Sequence, residues 1–314
     1  MTSPNQGAVA VYGGRFGDFV LEALRGALPG TRVVAAGSPE ADEEADVLVT
    51  LVGDGPALVG ALSPRVRWVH ILGAGADGFP FEVLGGRLLT CSRGAGGPAI
   101  AEFVLATMLA FEKHLPEAWI TESVTPWNTA QLGGLEGRTL GIVGLGAIGT
   151  EVARRALAFS MDVAGVRRRS AAPPVEGITL CPDLVTLLGR SDHVVVAAPA
   201  TPATFHLLDE AAFAAVKPGV HVVNVARGSL VDQDALLRAL DDGRVARASL
   251  DVVDPEPLPD GHPLYRHPSV RLSPHISWSS PRTAVRTLTC FLDNLARFRE
   301  GRPLLGMVDT EAGY

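Results

Sequence analysis

The chain has few of the features that mark disulfide-stabilised, metal-binding or membrane-spanning proteins. Its 314 residues include only three cysteines, Cys91, Cys181 and Cys290, which lie far apart. They indicate neither a disulfide framework nor a zinc-ligand cluster, so we expect a reducing, cytoplasmic location. The apolar runs, such as 193–198, have the length of strands and are too short to cross a bilayer. The N-terminus lacks the charged and apolar regions of a signal peptide.

Positive charge is also scarce. Lys and Arg number 27 against 34 Asp and Glu, which gives a net charge of -7 with no basic stripe. Nucleic-acid binding is therefore not expected, because it needs a cationic surface to neutralise phosphates. Nearly half of the residues, 47%, are apolar and 19% are charged, a composition typical of a globular chain that is long enough for two domains.

Short β-branched runs alternate with helical patterns throughout, which predicts the α/β class with parallel sheets. An apolar helix at 99–111 leads into a second domain. Apolar residues at helical spacing over 281–299 predict a helix that returns to the first domain. The strands predicted for the second domain lie at 139–143, 162–166, 193–197, 220–225, 248–251 and 270–272.

A glycine turn follows the first of these strands. Gly144, Gly146 and Gly149 form a GxGxxG pattern that opens a helix. The first glycine permits a tight turn, the second lets the backbone approach a pyrophosphate, and the third lets helix and strand pack closely. Free N–H groups at the helix N-terminus favour phosphate. The pattern predicts dinucleotide binding, and a tight connection without a ligand is the alternative.

Polar residues follow the last three predicted strands. Arg227, Glu256 and His275 each come after one of them, at the edge where open α/β sheets bind ligands. Each has a structural alternative: Arg227 could cap a helix or pair with Asp232, Glu256 could be a solvated charge, and His275 could be a core histidine. Their shared position at one edge favours a common site.

The sequence resembles the D-isomer-specific 2-hydroxyacid dehydrogenases, in particular those like glyoxylate/hydroxypyruvate reductase, over nearly its whole length. The resemblance implies two Rossmann-like doubly wound domains. A flavodoxin-like substrate (catalytic) domain would comprise 1–97 and 282–314, with the dinucleotide-binding domain inserted at 98–281 and the active site in the cleft. The motifs that carry it are GAGADG at 73–78, AIAEFVLATMLA at 99–110, GLGAIG at 144–149, APATPAT at 198–204, NVARGSLVD at 224–232, LDVVDPEPLP at 250–259 and SPHISW at 273–278.

The resemblance also implies an activity, a reaction that interconverts a 2-keto acid and its 2-hydroxy acid. Arg227 would hold the carboxylate and the developing alkoxide, because its planar fork stays charged. His275 would give the proton in reduction, paired with Glu256, which would hold its tautomer and favour the imidazolium. The amides of Ala74 and Gly75 would grip the carboxylate. Family members usually form homodimers through the dinucleotide domain, so we expect one here.

Further contacts to the nicotinamide cofactor are implied by the same resemblance. Asp251 would contact the carboxamide of the nicotinamide, and the remaining cofactor-binding positions would be Gly144, Gly146, Ala147, Ile148, Gly149, Pro199, Thr204, Val225, Ala226 and His275.

Two positions depart from the family pattern. NAD-dependent members usually carry an acidic residue after the second strand to bind the ribose 2′-OH, but this chain has Arg167 there, followed by Arg168, Arg169 and Ser170. A cationic loop suits a 2′-phosphate, so NADP(H) is favoured over NAD(H). Trp278 stands where many members have a small residue, and it either packs or lines the substrate pocket.

Three other functions remain open at this point. The chain could be an NAD(H)-preferring dehydrogenase of the same family, in which case the arginines form a solvated turn. It could be a dinucleotide-sensing regulatory protein, although no interaction segment favours this. It could also oxidise a different small anion, such as phosphite. Formate is disfavoured, because formate dehydrogenases of this family carry glutamine where this chain has Glu256.

Overall fold

The structure, a computed structural model, describes residues 7–13, 17–51, 55–123, 127–129, 131–168 and 172–314. The chain divides into two compact units. One comprises the residues up to Ala95 together with Pro281–Tyr314, and the other is Gly96–Ser280. The chain passes from one unit to the other after residues 95 and 280. The sequence predicted these boundaries after residues 97 and 281.

The first unit is built on a parallel sheet with the order β2-β1-β3-β4-β5 in the described residues. This is the flavodoxin-like order, which confirms the predicted fold class. Its strands are β1 Ala8–Tyr12, β2 Val33–Ala35, β3 Ala45–Thr50, β4 Trp68–Ile71 and β5 Leu88–Cys91, and its helices are α1 Gly17–Ala27, α2 Pro39–Glu44, α3 Gly55–Ala61 and α9 Pro281–Arg299.

Helix α9 packs on this sheet as the sequence predicted. Phe291 and Leu295 are buried on one face of the helix, and the ring of Phe291 stacks on Trp68 of β4 at 5.6 Å between centroids. Residues 47–49 of β3 are fully buried in succession, since a parallel sheet is covered on both faces and needs apolar side chains on each.

A buried polar chain lies inside the first unit. The indole of Trp68 donates a hydrogen bond to Thr90 Oγ1 at 2.8 Å, and His70 Nδ1 lies 2.7 Å from the same oxygen. His70 Nε2 lies 3.1 Å from Ser92 Oγ. Burial in this apolar setting lowers the pKa of His70 to about 3, so the imidazole is neutral in the folded protein.

The second unit is built on a parallel sheet with the order β12-β11-β10-β9-β6-β7-β8 among the residues described. This is the Rossmann order with one added strand at an edge. Its strands are β6 Thr139–Val143, β7 Asp162–Val166, β8 Ile178–Leu180, β9 His193–Val196, β10 Val220–Asn224, β11 Val245–Leu250 and β12 Val270–Leu272, and its helices are α4 Gly97–Glu112, α5 Ala147–Ala158, α6 Leu184–Arg190, α7 Glu210–Ala214 and α8 Gln233–Asp241.

Two histidines at the starts of strands in this sheet belong to the core. His193 Nε2 lies 3.0 Å from Glu112 Oε1, His193 Nδ1 lies 3.2 Å from His221 Nδ1, and His221 Nε2 lies 2.9 Å from Ser249 Oγ. Across the described ranges, no group of three or more His, Cys, Asp or Glu side chains is arranged to hold a metal ion. None of the helices described is both long and apolar enough to span a membrane.

Candidate active site

The glycine turn lies at the point where the strand order of the second sheet reverses. Strand β6 pairs with β7 on one side and β9 on the other, and Gly144 follows it with a φ of 101°. A Cβ at Gly144 would lie 2.7 Å from Ala198 N and 2.8 Å from the Ala197 carbonyl carbon. A side chain at this position would therefore clash with the backbone after β9. Open α/β sheets bind their ligands at such a switch point.

Two further glycines shape the start of helix α5. A Cβ at Gly149 would overlap the carbonyl oxygen of Gly144 and lie 3.0 Å from Ile142 Cγ2, so close packing of helix and strand requires glycine. At Gly146 the space within 4 Å is open, and no side chain caps the helix there. Ala147 and Ile148 form the first turn. A pyrophosphate fits this arrangement, because the backbone is accessible and the first N–H groups face outward.

Basic residues follow β7 at the same edge. Arg167 is half-buried and donates from Nη1 to the carbonyl oxygen of Ala172 at 3.1 Å. Arg168 is exposed. The other two members of the predicted cluster, Arg169 and Ser170, lie outside the described residues. The only acid of the strand, Asp162, stands at its beginning.

The segment after β10 is a tight turn that presents Arg227. Asn224, which is 1% exposed, donates to the Arg227 carbonyl oxygen at 2.9 Å and accepts from Ala226 N at 3.0 Å. Val225 and Ala226 are buried, whereas Arg227 is half-buried and donates from Nη1 to the Ala226 carbonyl oxygen at 2.7 Å. The guanidinium is thus fixed against its own backbone.

Gly228 joins this turn to the loop that carries Glu256. A Cβ at Gly228 would overlap the carbonyl group of Val253 and lie 2.5 Å from Asp254 N. Because the colliding atoms are backbone, only glycine lets the two loops touch. The close approach brings the Arg227 turn next to the segment that leads into Glu256.

Glu256 and His275 form a hydrogen-bonded pair. His275 Nδ1 lies 2.9 Å from Glu256 Oε2, and both side chains keep about four-tenths of their surface exposed. Glu256 Oε1 also accepts from Val253 N at 3.3 Å. The bond to the carboxylate places a proton on Nδ1 and leaves Nε2 as the nitrogen that can exchange a proton with a ligand.

Asp251 is 2% exposed and holds the loop that contains His275. Its Oδ1 accepts from Ser273 Oγ at 2.5 Å and from Ile276 N at 2.9 Å, and its Oδ2 accepts from Ser277 N at 2.9 Å. The carboxylate thereby links β11 to the loop after β12. A contact between Asp251 and a nicotinamide stays a prediction.

In the first unit, the loop after β4 presents two amides of the kind that bind anions. Ser92 N donates to the Gly73 carbonyl oxygen at 2.9 Å, and the Cys91 thiol donates to the Ala74 carbonyl oxygen at 3.3 Å. The C=O and N–H of a trans peptide point in opposite directions, so the N–H groups of Ala74 and Gly75 point away from these anchors. Among the residues described in this unit, no group accepts from either amide.

The remaining predicted positions lie at the carboxyl edge of the second sheet. Thr204 donates from its hydroxyl to the Pro199 carbonyl oxygen at 2.7 Å and so closes the loop after β9. Trp278 is 49% exposed and donates from Nε1 to the His275 carbonyl oxygen at 2.8 Å. The edge therefore gathers the predicted residues of this unit that the structure describes.

Sequence reasoning missed two residues that hold this edge in place. Asn224 has a recognisable signal, an amide at the end of an otherwise apolar strand, where a buried polar group must find partners. Gly228 has a weaker signal, because a glycine after an arginine is also common in exposed turns, and only the approach of Val253 reveals why it is needed.

A Rossmann-order sheet with a glycine turn at its switch point is typical of nucleotide-binding oxidoreductases, and the comparisons with known proteins agree. The model of the D-isomer specific 2-hydroxyacid dehydrogenase NAD-binding domain matches residues 105–277. A glyoxylate reductase from Thermofilum pendens is 33% identical over 277 residues, which cover 85% of this chain and 82% of that protein.

Solved structures give the same result over the full chain. A D-isomer specific 2-hydroxyacid dehydrogenase from Xanthobacter autotrophicus, in complex with NADPH and MES, is 28% identical with a TM-score of 0.86, covering 99% of this chain and 100% of that one. An NADPH-dependent glyoxylate/hydroxypyruvate reductase from Sinorhizobium meliloti, in complex with NADP and sulfate, is 28% identical with a TM-score of 0.81, covering 98% and 100%. The chain belongs to the D-isomer specific 2-hydroxyacid dehydrogenase family, oxidoreductases that act on CH–OH groups.

Proposed function

We propose that the protein works as a reductase of small 2-keto acids that prefers NADP(H), with Arg227, Glu256 and His275 at the reacting carbon. The observation that carries the proposal is the 2.9 Å pair of His275 Nδ1 with Glu256 Oε2 at the carboxyl edge of a Rossmann-order sheet. A histidine whose Nδ1 is bonded to a carboxylate keeps Nε2 available to exchange a proton with a substrate.

The protein's own groups account for the parts of the reaction other than hydride transfer. Arg227 attracts the substrate carboxylate and stabilises the negative charge that develops on the carbonyl oxygen. His275 delivers the proton to that oxygen from Nε2, while Glu256 holds the ring in one tautomer and stabilises the imidazolium before transfer. The amides of Ala74 and Gly75 bind the carboxylate. A reduced nicotinamide supplies the hydride when bound.

The family's relatives narrow the substrate class. Relatives named as glyoxylate reductases and a neighbour named as a glyoxylate/hydroxypyruvate reductase support a short 2-keto acid. A panel of glyoxylate, hydroxypyruvate, pyruvate and phenylpyruvate, each with NADPH and with NADH, tests this proposal by the loss of absorbance of the reduced nicotinamide. We expect turnover with at least one of the short acids. No turnover with any member of the panel would refute the proposal.

The NADP(H) preference rests on the loop after β7. Asp162 lies at the start of the strand, away from the position that binds a ribose 2′-OH, whereas Arg167 and Arg168 follow the strand directly. Guanidinium groups bind the charged oxygens of a 2′-phosphate. Two neighbours were solved with NADPH or NADP, which supports the same cofactor here.

The cofactor experiment is the ratio of kcat/KM for NADPH to that for NADH with one keto acid. We expect a ratio above one in the native protein and a ratio below one in Arg167→Asp. Arg190→Asp makes the same change of charge at the end of α6, before β9 begins at the opposite edge of the sheet, and should leave the ratio unchanged. A native preference for NADH would contradict the proposal.

A homodimer through the second unit and a cytoplasmic location complete the proposal. Large apolar side chains are exposed on the segment after α4, where Trp119 and Trp127 are each 71% exposed, and a partner that covered them would remove apolar surface from water. All three cysteines are free thiols, which suits a reducing compartment. Sedimentation of the native protein and of Trp119→Glu tests the dimer. We expect the native protein to sediment as a dimer and the substitution to weaken the association.

A further inference from the structure

His275 has an unusual backbone conformation for a residue with a side chain. Its φ is 55°, in the left-handed region that a Cβ disfavours. A residue persists there only when its surroundings fix it. The direction of the imidazole, and hence its pairing with Glu256, depends on this local conformation.

Hydrogen bonds hold the backbone on both sides of His275. Its N–H donates to the carbonyl oxygen of Asp251 at 2.9 Å and to that of Ser273 at 3.0 Å. The next peptide unit is held at both ends, because Ile276 N donates to Asp251 Oδ1 at 2.9 Å and the His275 carbonyl oxygen accepts from Trp278 Nε1 at 2.8 Å. The His275 carbonyl oxygen is therefore bonded by a side chain. A substitution of Trp278 can remove this hydrogen bond and leave the backbone groups in place.

We infer that Trp278 is a positioning residue, whose indole N–H holds the backbone of His275 so that the imidazole stays aligned with Glu256. This role rests on the proposed function. The segment that carries Trp278 packs closely on the residue before α4, since a Cβ at Gly96 would lie 3.3 Å from Trp278 Cβ. The positioning role requires the N–H donor of the indole. A residue that only lined the substrate pocket would require only the aromatic ring.

A substitution that keeps the ring and removes the N–H donor distinguishes the two roles. Trp278→Phe keeps an aromatic ring and removes the donor. We expect kcat for keto acid reduction to fall about 3- to 10-fold, the usual weight of one neutral hydrogen bond, with KM for the keto acid and the Kd of NADPH nearly unchanged. Tyr265→Phe is the matched control, since the Tyr265 hydroxyl also donates from a half-exposed ring to a backbone carbonyl, that of Leu258 at 3.1 Å. It should keep the native kcat.

A second readout is independent of turnover. In ¹⁵N spectra of the NADPH-bound protein, the signal of the His275 Nδ1–H group reports how fast its proton exchanges with water. This proton should exchange faster in Trp278→Phe than in the native protein or in Tyr265→Phe. An unchanged kcat with an unchanged signal would overturn the inference. A changed KM that depends on substrate size, with kcat and the signal unchanged, would make Trp278 a pocket wall instead. If the native protein reduced no keto acid, the proposed function would fail while the spectra still tested the positioning role.

Discussion

Gly228 offers the sharpest test of how the loop that carries Arg227 and the loop that carries Glu256 depend on each other. In Gly228→Ala, the new Cβ would lie 2.5 Å from Asp254 N and would overlap the Val253 carbonyl. Restoring an ordinary contact of 3.4 Å needs a displacement of at least 3.4 - 2.5 = 0.9 Å, and the atoms that must move are backbone. The Val253 carbonyl lies closer still to the new Cβ, so the Arg227 turn and the segment leading into Glu256 would separate by more than that distance.

A misplacement of about 1 Å at a catalytic site costs on the order of 10²-fold in rate, so we expect kcat/KM for the best keto acid to fall by at least about that factor. Overpacking of this kind also costs about 1–3 kcal/mol of stability. Steady-state kinetics and thermal unfolding measure the two effects. The control is Gly189→Ala in α6, where the nearest atom to a Cβ lies at 3.5 Å, and both values should stay near native. Native activity in Gly228→Ala would show that the contact between the loops is not needed.

Three further outcomes follow from the same structure. Glu256→Gln removes the negative partner of His275, and kcat should fall about 10- to 100-fold, the weight of a hydrogen bond to a charged group; a native kcat would take Glu256 out of the mechanism. Arg227→Ala should raise KM and lower kcat, and Arg227→Lys should restore little, because an ammonium lacks the bidentate fork; good rescue would mean that charge alone suffices. His70 has a pKa of about 3 in the folded protein against about 6.5 in the unfolded chain, so the unfolded state binds a proton first and stability falls as pH drops from 6.5 towards 3. At pH 5 the loss is about 1.5 × 1.36, or about 2 kcal/mol. His70→Gln should flatten this dependence in urea unfolding.

The regular elements were largely predictable because apolar periodicity dominates them. The strands at 139–143, 162–166 and 270–272 have the predicted bounds. Strand β8 was missed, since it has three residues and only Ile178 is buried. The start of β11 was placed at 248 rather than at Val245, because Arg247 interrupts the apolar pattern. Its guanidinium lies over the Phe111 ring, 5.5 Å from the centroid, which lets a long polar side chain occupy the strand.

The residue types of the site could be predicted, but the contacts that position them could not. Arg227, Glu256 and His275 follow strands that are neighbours in one parallel sheet, so the sequence was enough to predict that they lie at the same edge; their joint role in catalysis stays a prediction. The bond from Trp278 to His275 depends on a left-handed φ at a histidine, which no sequence pattern predicts. The three bonds that Asp251 accepts depend on the packing of two loops, a long-range feature.

The role of His275 as proton donor is tested by a comparison of the native protein with His275→Ala on its best 2-keto acid. Reduction is followed by the loss of NADPH absorbance, and NADPH binding is measured by fluorescence. We predict that kcat falls by about 10²–10⁴-fold, the usual contribution of a positioned general acid, while the Kd of NADPH changes little. A variant that reduces the keto acid at the native rate would contradict the assignment of His275 as the proton donor, and the chemistry proposed for this edge of the sheet would fail with it.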